Sequence, residues 1–130
     1  MKKIILISTI LLLTGCLGEV GKGYITKKCT KTDNNVDTNI EIKSKEGKLV
    51  SIKIKEVYNT TNLTSIQNSK KSEQNLYSKL NGITLDIDDN TFIYKIDVEN
   101  TDDLIKERFN IKSEQHKQIK YYEENGYTCK

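Results

Sequence analysis

The chain has 130 residues, with three cysteines, one histidine, no proline and no tryptophan. Its 21 Lys and Arg face 18 Asp and Glu, a formal net charge of +3. That length allows one small domain, and the interspersed charge signs exclude the concentrated basic stripe of a nucleic-acid-binding domain.

The chain opens with MKKIILISTILLLTGC. Lys2 and Lys3 form a positive start, and residues 4–13 form an apolar run. Such a run has the length of a signal-peptide core and is too short to span a bilayer. It ends in Leu13-Thr14-Gly15-Cys16. An aliphatic residue, two small residues and a cysteine resemble the bacterial lipobox. The resemblance implies cleavage before Cys16 and a diacylglycerol on its sulfur, the two acyl chains that stable anchoring needs. We therefore expect a signal peptide over 1–15, a lipidated tether over 16–23 and a single domain over 24–130. The expected location is the outer face of the cell membrane, or the outer membrane where the host has one. Leu17, not an acidic residue, follows the cysteine.

Without Lys2 and Lys3, nineteen basic residues remain against eighteen acidic ones, a net charge of +1. With Cys16 acylated, Cys29 and Cys129 are left over. In an exported chain, two remaining cysteines read as one disulfide. The glycine-bearing stretch LGEVGKG lacks periodicity and reads as the tether. Its Gly-Lys-Gly lacks the spacing of a phosphate loop.

A period of two sets in at Tyr24. YITKKCTKT alternates β-branched residues with lysines, and Asp33 to Asn35 supply turn chemistry. In VDTNIEIKS, the residues Val36, Thr38, Ile40 and Ile42 share one face. A second turn is built on Gly47. LVSIKIKEVY then places Val50, Ile52, Ile54 and Val57 toward the apolar side. Three such strands predict an antiparallel meander with one dry and one wet face.

Thr64 and Gln67 have capping-box spacing, predicting a helix to about Leu80 that is capped by Asn81-Gly82. Its apolar stripe is thin (Ile66, Leu76, Tyr77, Leu80), and NSKKSEQN is polar all round, so packing by the helix ends is expected. Ile83, Leu85 and Ile87, a turn at Asp89-Asn90, then Phe92, Tyr94, Ile96 and Val98 predict a hairpin. Asn100 or Thr101 is expected to cap the helix in DDLIKERFN. A last helix runs from Ser113 to Gly126 with Ile119 and Tyr122 inward. The expected fold is α+β: an antiparallel sheet of about five strands, meander plus hairpin, with two to three helices on one face.

CTKTDNNVDTNIEIKSKEGKLVSIKIKEVY, after a lipobox and before the closing YYEENGYTCK, resembles the small bacterial lipoproteins of the YehR-like group, a family of unknown function. The resemblance covers about thirty residues directly and most of the domain by order of elements. It implies a compact α+β lipoprotein domain outside the membrane and carries over no catalytic residue.

Residue chemistry adds little that is sharp. Asp86, Asp88 and Asp89 begin like a calcium loop, but Thr91 stands where glycine makes the turn and Asp97 where a bidentate glutamate would sit. They are weak metal candidates in what reads as a hairpin turn. His116 is the only histidine and has no evident orienting acid or metal-ligand partners. Asp86 and Asp97 could be paired for acid–base work on residue type alone. Cys29 and Cys129 lack redox CxxC spacing. The seven tyrosines read mainly as a rim of half-buried rings. The expected function is a membrane-anchored, non-enzymatic binding or envelope-interaction module with no cofactor. Its partners are the membrane through Cys16 and an envelope protein, peptide or small ligand, with no nucleic acid. An unrecognised hydrolase-type envelope enzyme and a purely structural envelope lipoprotein are the alternatives.

Overall fold

The computed structural model describes residues 23–130. The signal peptide over 1–15, Cys16 and all of the tether but Gly23 lie outside the described residues. The elements in chain order are β1 (Tyr24–Asp33), β2 (Val36–Lys45), β3 (Lys48–Tyr58), α1 (Leu63–Tyr77), β4 (Ile83–Asp88), β5 (Thr91–Asp97), α2 (Asp103–Arg108), α3 (Gln115–Glu124) and β6 (Thr128–Cys129). The strands form one open antiparallel sheet in the order β4-β5-β3-β2-β1-β6. The fold is α+β, as the alternation predicts, with a sixth strand added.

Alternation decides which face is dry. Cys29, Ile40, Ile54, Tyr94 and Leu85 lie in cross-strand register along one row, and Ile42, Ile52, Ile96 and Ile83 along the next. All of these are buried. The three helices pack on this face; among the described residues, none covers the other. The turns have positive φ at Asn34 and Asn35 (48° and 63°), which tolerate it, and at Glu46 and Gly47 (52° and 79°), where the glycine carries the turn.

Five expectations need correction. Val57 pairs with Asp37 and Thr91 and lies on the helix-free face, not toward the core. Val50 does not face the core. The register shifts between Lys43 and Ser44, so Leu49 pairs with Ser44 and is buried while Val50 stays half-exposed. Such a bulge adds one residue to a strand and reverses which neighbour points inward. The capping box is not formed: Asn62 is the N-cap of α1 without a side-chain cap, and Gln67 Nε2 instead donates to the Asp89 carbonyl at 3.1 Å. α1 ends at Tyr77, not Leu80. Gly82 serves a different need, since a Cβ there would lie 2.7 Å from the Thr101 backbone. The cap of α2 is Asp102, one residue later than expected, and its carboxylate accepts the Asn81 N–H at 3.1 Å.

β6 is the element that alternation missed. It pairs Cys129 with Cys29 and Thr128 with Thr30, and Lys28 and Lys130 exchange both backbone hydrogen bonds at 3.0 and 2.8 Å. The Cys29–Cys129 disulfide crosses this pair with a sequence separation of 100. The described buried apolar side chains run from Cys29 to Tyr122. A bond closing so long a loop removes much unfolded-state entropy, worth roughly 4 to 5 kcal/mol in the chain-entropy model. Replacing both Cys29 and Cys129 by serine should lower the unfolding free energy by about 3 kcal/mol or more. Urea titration of the two proteins measures this, and an unchanged midpoint would show that the bond adds nothing.

Candidate functional site: a cleft beside a buried lysine

α1 meets the sheet through a charge. Lys70, in the polar middle of the helix, is 9% exposed, so the expectation that α1 packs by its ends is wrong. Its Nζ donates to Tyr94 Oη at 2.6 Å and to the two Glu56 oxygens at 3.3 and 3.5 Å. Tyr94 Oη in turn donates to Glu73 Oε2 at 2.8 Å, and Tyr58 Oη donates to Glu56 Oε2 at 2.9 Å. Arg108, from α2, stands 3.8 Å from Glu73. Two cations and two carboxylates thus neutralise one another. The ammonium also lies over the rings of Tyr94, Phe92 and Tyr58, at 5.0, 5.5 and 5.7 Å from their centroids. A buried ammonium is tolerable only with partners of this kind. Fractional geometry this dense makes each member depend on the others.

Beside the network, a cleft of about 460 Å³ opens between α2 and α3. Ile40, Ile54, Thr38 and Glu56 form its floor on the sheet. Arg108, Phe109 and Asn110 form one wall, and Tyr121, Tyr122 and Tyr127 the other, with Lys31 at the rim. The tyrosines pack in series, Tyr121 to Tyr122 at 5.5 Å and Tyr122 to Tyr127 at 5.3 Å between centroids. Lys31 donates to the Asn125 carbonyl at 3.0 Å and lies 5.5 Å from the Tyr127 ring centroid. Gln118, fully buried, holds the wall in place: its Oε1 accepts the Lys112 N–H at 2.7 Å and its Nε2 donates to the Asn110 carbonyl at 3.3 Å.

Burial sets the protonation of the phenols. It pushes Tyr94 far up, reinforced by the Glu56 charge and by the hydrogen bond to Glu73. Tyr58 is pushed up to about 12 by burial and by Glu56. Tyr122 and Tyr127 move up mainly through burial as well. These hydroxyls are therefore neutral at physiological pH. They offer hydrogen-bond donors and ring faces, the chemistry of recognition.

The residues singled out from sequence lie elsewhere. Asp86 and Asp88 point to the helix-free face at the β4 edge, Asp89 occupies the turn with φ 51°, and Asp86 pairs with Lys95 at 3.1 Å. Among the described residues, no three His, Cys, Asp or Glu side chains gather as metal ligands. Asp97 is four residues from Ile93, the partner of Asp86, hence roughly 13 Å away along the strand, and it bonds Asn100 instead. The two carboxylates are not paired. His116 is exposed on α3, 3.3 Å from Glu114. Cys29 and Cys129 are joined, as the cysteine count predicts. Lys70, Glu56, Arg108 and the tyrosine wall escaped the sequence reading. The one available signal was Glu56, an acid at an inward position of an otherwise alternating strand. Compared with family models, curated proteins and solved structures, the chain matches none.

Lys70→Met keeps most of the apolar stem, removes the ammonium and leaves the Glu56 carboxylate without its cation. It should cost about 3 kcal/mol, and adding Glu56→Gln should return part of that loss; denaturant melts of the four-member cycle read the coupling. The phenols supply a pH test. A group held neutral by folding stabilises fully below its unfolded pKa and loses that contribution as pH rises toward its folded one. Stability should therefore fall between pH 10 and about 12. In a spectrophotometric titration the native phenolate absorbance should lag that of the unfolded chain, and coincident curves would contradict the burial.

Proposed function

We propose that this chain is an exported, lipid-anchored binding module, held in the membrane by Cys16 and taking its ligand in the cleft between α2 and α3. The observation that carries the reading is the Cys29–Cys129 disulfide. It suits an oxidising compartment, and it leaves the lipobox cysteine as the single sulfhydryl outside the bond. The resemblance to YehR-like lipoproteins belongs to the same reading.

The cleft supports binding over turnover by its chemistry. The hydroxyls of Tyr122 and Tyr127 are held protonated, and the Lys70 ammonium beside the cleft is already engaged by the Glu56 carboxylate. What it offers a ligand is a stacking wall of Tyr121, Tyr122 and Tyr127, phenolic donors, and the guanidinium and ammonium of Arg108 and Lys31 near the rim. That set fits a small ligand or peptide segment with a flat ring and an acidic group. A volume of about 460 Å³ is within the range of small-molecule sites.

Two measurements test the reading. The chain purified from membranes of a bacterial host should begin at Cys16 and carry a diacylglycerol mass that Cys16→Ser abolishes. Native mass spectrometry of the soluble domain, exported with its disulfide intact, should show a bound species that Tyr121→Ala with Arg108→Ala weakens at least tenfold, about 1.4 kcal/mol or more. An unacylated chain with an intact N-terminus would reject the anchor. A ligand retained undiminished by the double variant would move binding away from the cleft.

A further inference from the structure

Along the sequence the charges look evenly mixed, but the strand register sorts them. The helix-free face carries Lys28 from β1, Lys43 and Lys45 from β2, Lys48, Lys53 and Lys55 from β3, and Lys95 from β5. Five acids share it: Asp37, Glu41, Asp86, Asp88 and Asp97. Glu41 is the one that sits inside the lysine band, opposite both Lys28 and Lys53. Asp86 and Asp88 lie on the edge strand β4, Asp97 is engaged by Asn100, and Asp37 accepts from Thr32 at 2.7 Å and Asn59 at 2.9 Å. The ion pairs on this face are Lys28–Glu41 at 3.9 Å and Lys95–Asp86 at 3.1 Å. Lys43, Lys45, Lys48, Lys53 and Lys55 make none among the described residues, and all five are exposed.

Two details make the band more than a solvated surface. Lys53 and Lys95 stand directly opposite each other on neighbouring strands, a like-charge pair that Asp86 relieves on the Lys95 side and Glu41 faces on the Lys53 side. With Lys43, the hydroxyls of Ser51, Thr26 and Thr84, and the carboxylates of Glu41, Asp97 and Glu99, they line a hollow of about 890 Å³. At the same end, Tyr24 is 51% exposed, with Lys43 Nζ 4.5 Å and Lys45 Nζ 5.5 Å from its ring centroid. Tyrosine flanked by lysines is the side-chain mixture of a lipid–water boundary. Tyr24 is also where the tether enters. The eight residues 16–23 reach at most about 27 Å, while β1 to β5 is three strand spacings, roughly 15 Å.

We infer that the helix-free face is a docking surface for anionic phospholipid headgroups, on which the domain lies with its cleft turned away from the membrane. The inference rests on the anchor reading for its geometry: a lipid at Cys16 holds this face within reach of the headgroups. Polybasic segments gain affinity for such surfaces lysine by lysine, and salt screens the gain.

The test removes the lipid. Residues 16–130 with Cys16→Ser are floated with vesicles of phosphatidylcholine alone or with about one third phosphatidylglycerol. The protein should bind the anionic vesicles at least tenfold more tightly and lose that preference at high salt. Lys43→Glu with Lys53→Glu and Lys55→Glu should reduce binding by tenfold or more. Lys71→Glu with Lys117→Glu and Lys120→Glu, an equal charge change on the helical side, should leave most of it. Glutamine in place of glutamate at the first three positions should give an intermediate loss with the thermal melt unchanged. No preference for anionic vesicles, or equal loss from both triple variants, overturns the docking surface. Anionic binding by a protein whose cell-derived form lacks the acyl mass would sink the anchor and leave the surface standing.

Discussion

The attachment of α1 depends on one ammonium. The helix offers the sheet few apolar contacts: Ile66 is half-buried, Tyr77 is buried and Leu76 is 43% exposed. Lys70 supplies what the stripe lacks. Its stem crosses the aromatic rings of the sheet and its head satisfies Glu56 and Tyr94 at once. Apolar packing tolerates a shift of a helix along its groove, whereas a buried charge has one position in which every partner is met. Tyr94, Glu73 and Arg108 then carry the same constraint from β5 through α1 to α2. The cleft wall formed by Arg108 and Phe109 inherits its place from that chain of contacts.

The parts of the fold that were legible in sequence are those with a local cause. A period of two over ten residues places Ile40 and Ile42 inward without knowledge of their partners. Asn34-Asn35 and Gly47 announce their turns through the φ values they tolerate. The orientation of Val50 is hidden because a bulge depends on the neighbouring strand, which its own pattern does not reveal. β6 has two residues, too few for any periodicity, and its cause is the disulfide and the free edge of β1. Lys70 escapes the pattern because a lysine amid polar neighbours signals solvent, and its burial depends on Glu56 and Tyr94 from other elements. The cleft was invisible for a simpler reason: Thr38, Glu56, Arg108 and Tyr121 come from four separate elements, and only the folded sheet assembles them.

The two faces of the sheet have divided the chemistry. The side bearing the helices holds aromatic rings, neutralised charges and a concavity. The other holds lysines on a surface that no helix covers among the described residues. An open two-layer fold allows this division, because each strand residue serves one face or the other and adjacent residues evolve under different demands. KLVSIKIKEVY shows it in one strand: Ile52 and Ile54 belong to the core while Lys53 and Lys55 belong to the outer surface.

The bond between Cys29 and Cys129 also determines how the domain carries load. Tension applied at the N-terminus enters at Tyr24 and meets Cys29 after five residues. From there the covalent path runs across the sulfurs to Cys129 and leaves by Lys130. The residues between the two cysteines form a closed loop outside that path. A pull between Tyr24 and Lys130 can peel the first residues of β1, but while the disulfide holds it cannot draw out the segment between the cysteines. The domain behaves as a knot in a cord: it passes force along its edge, and the cleft and the lysine face stay unstretched.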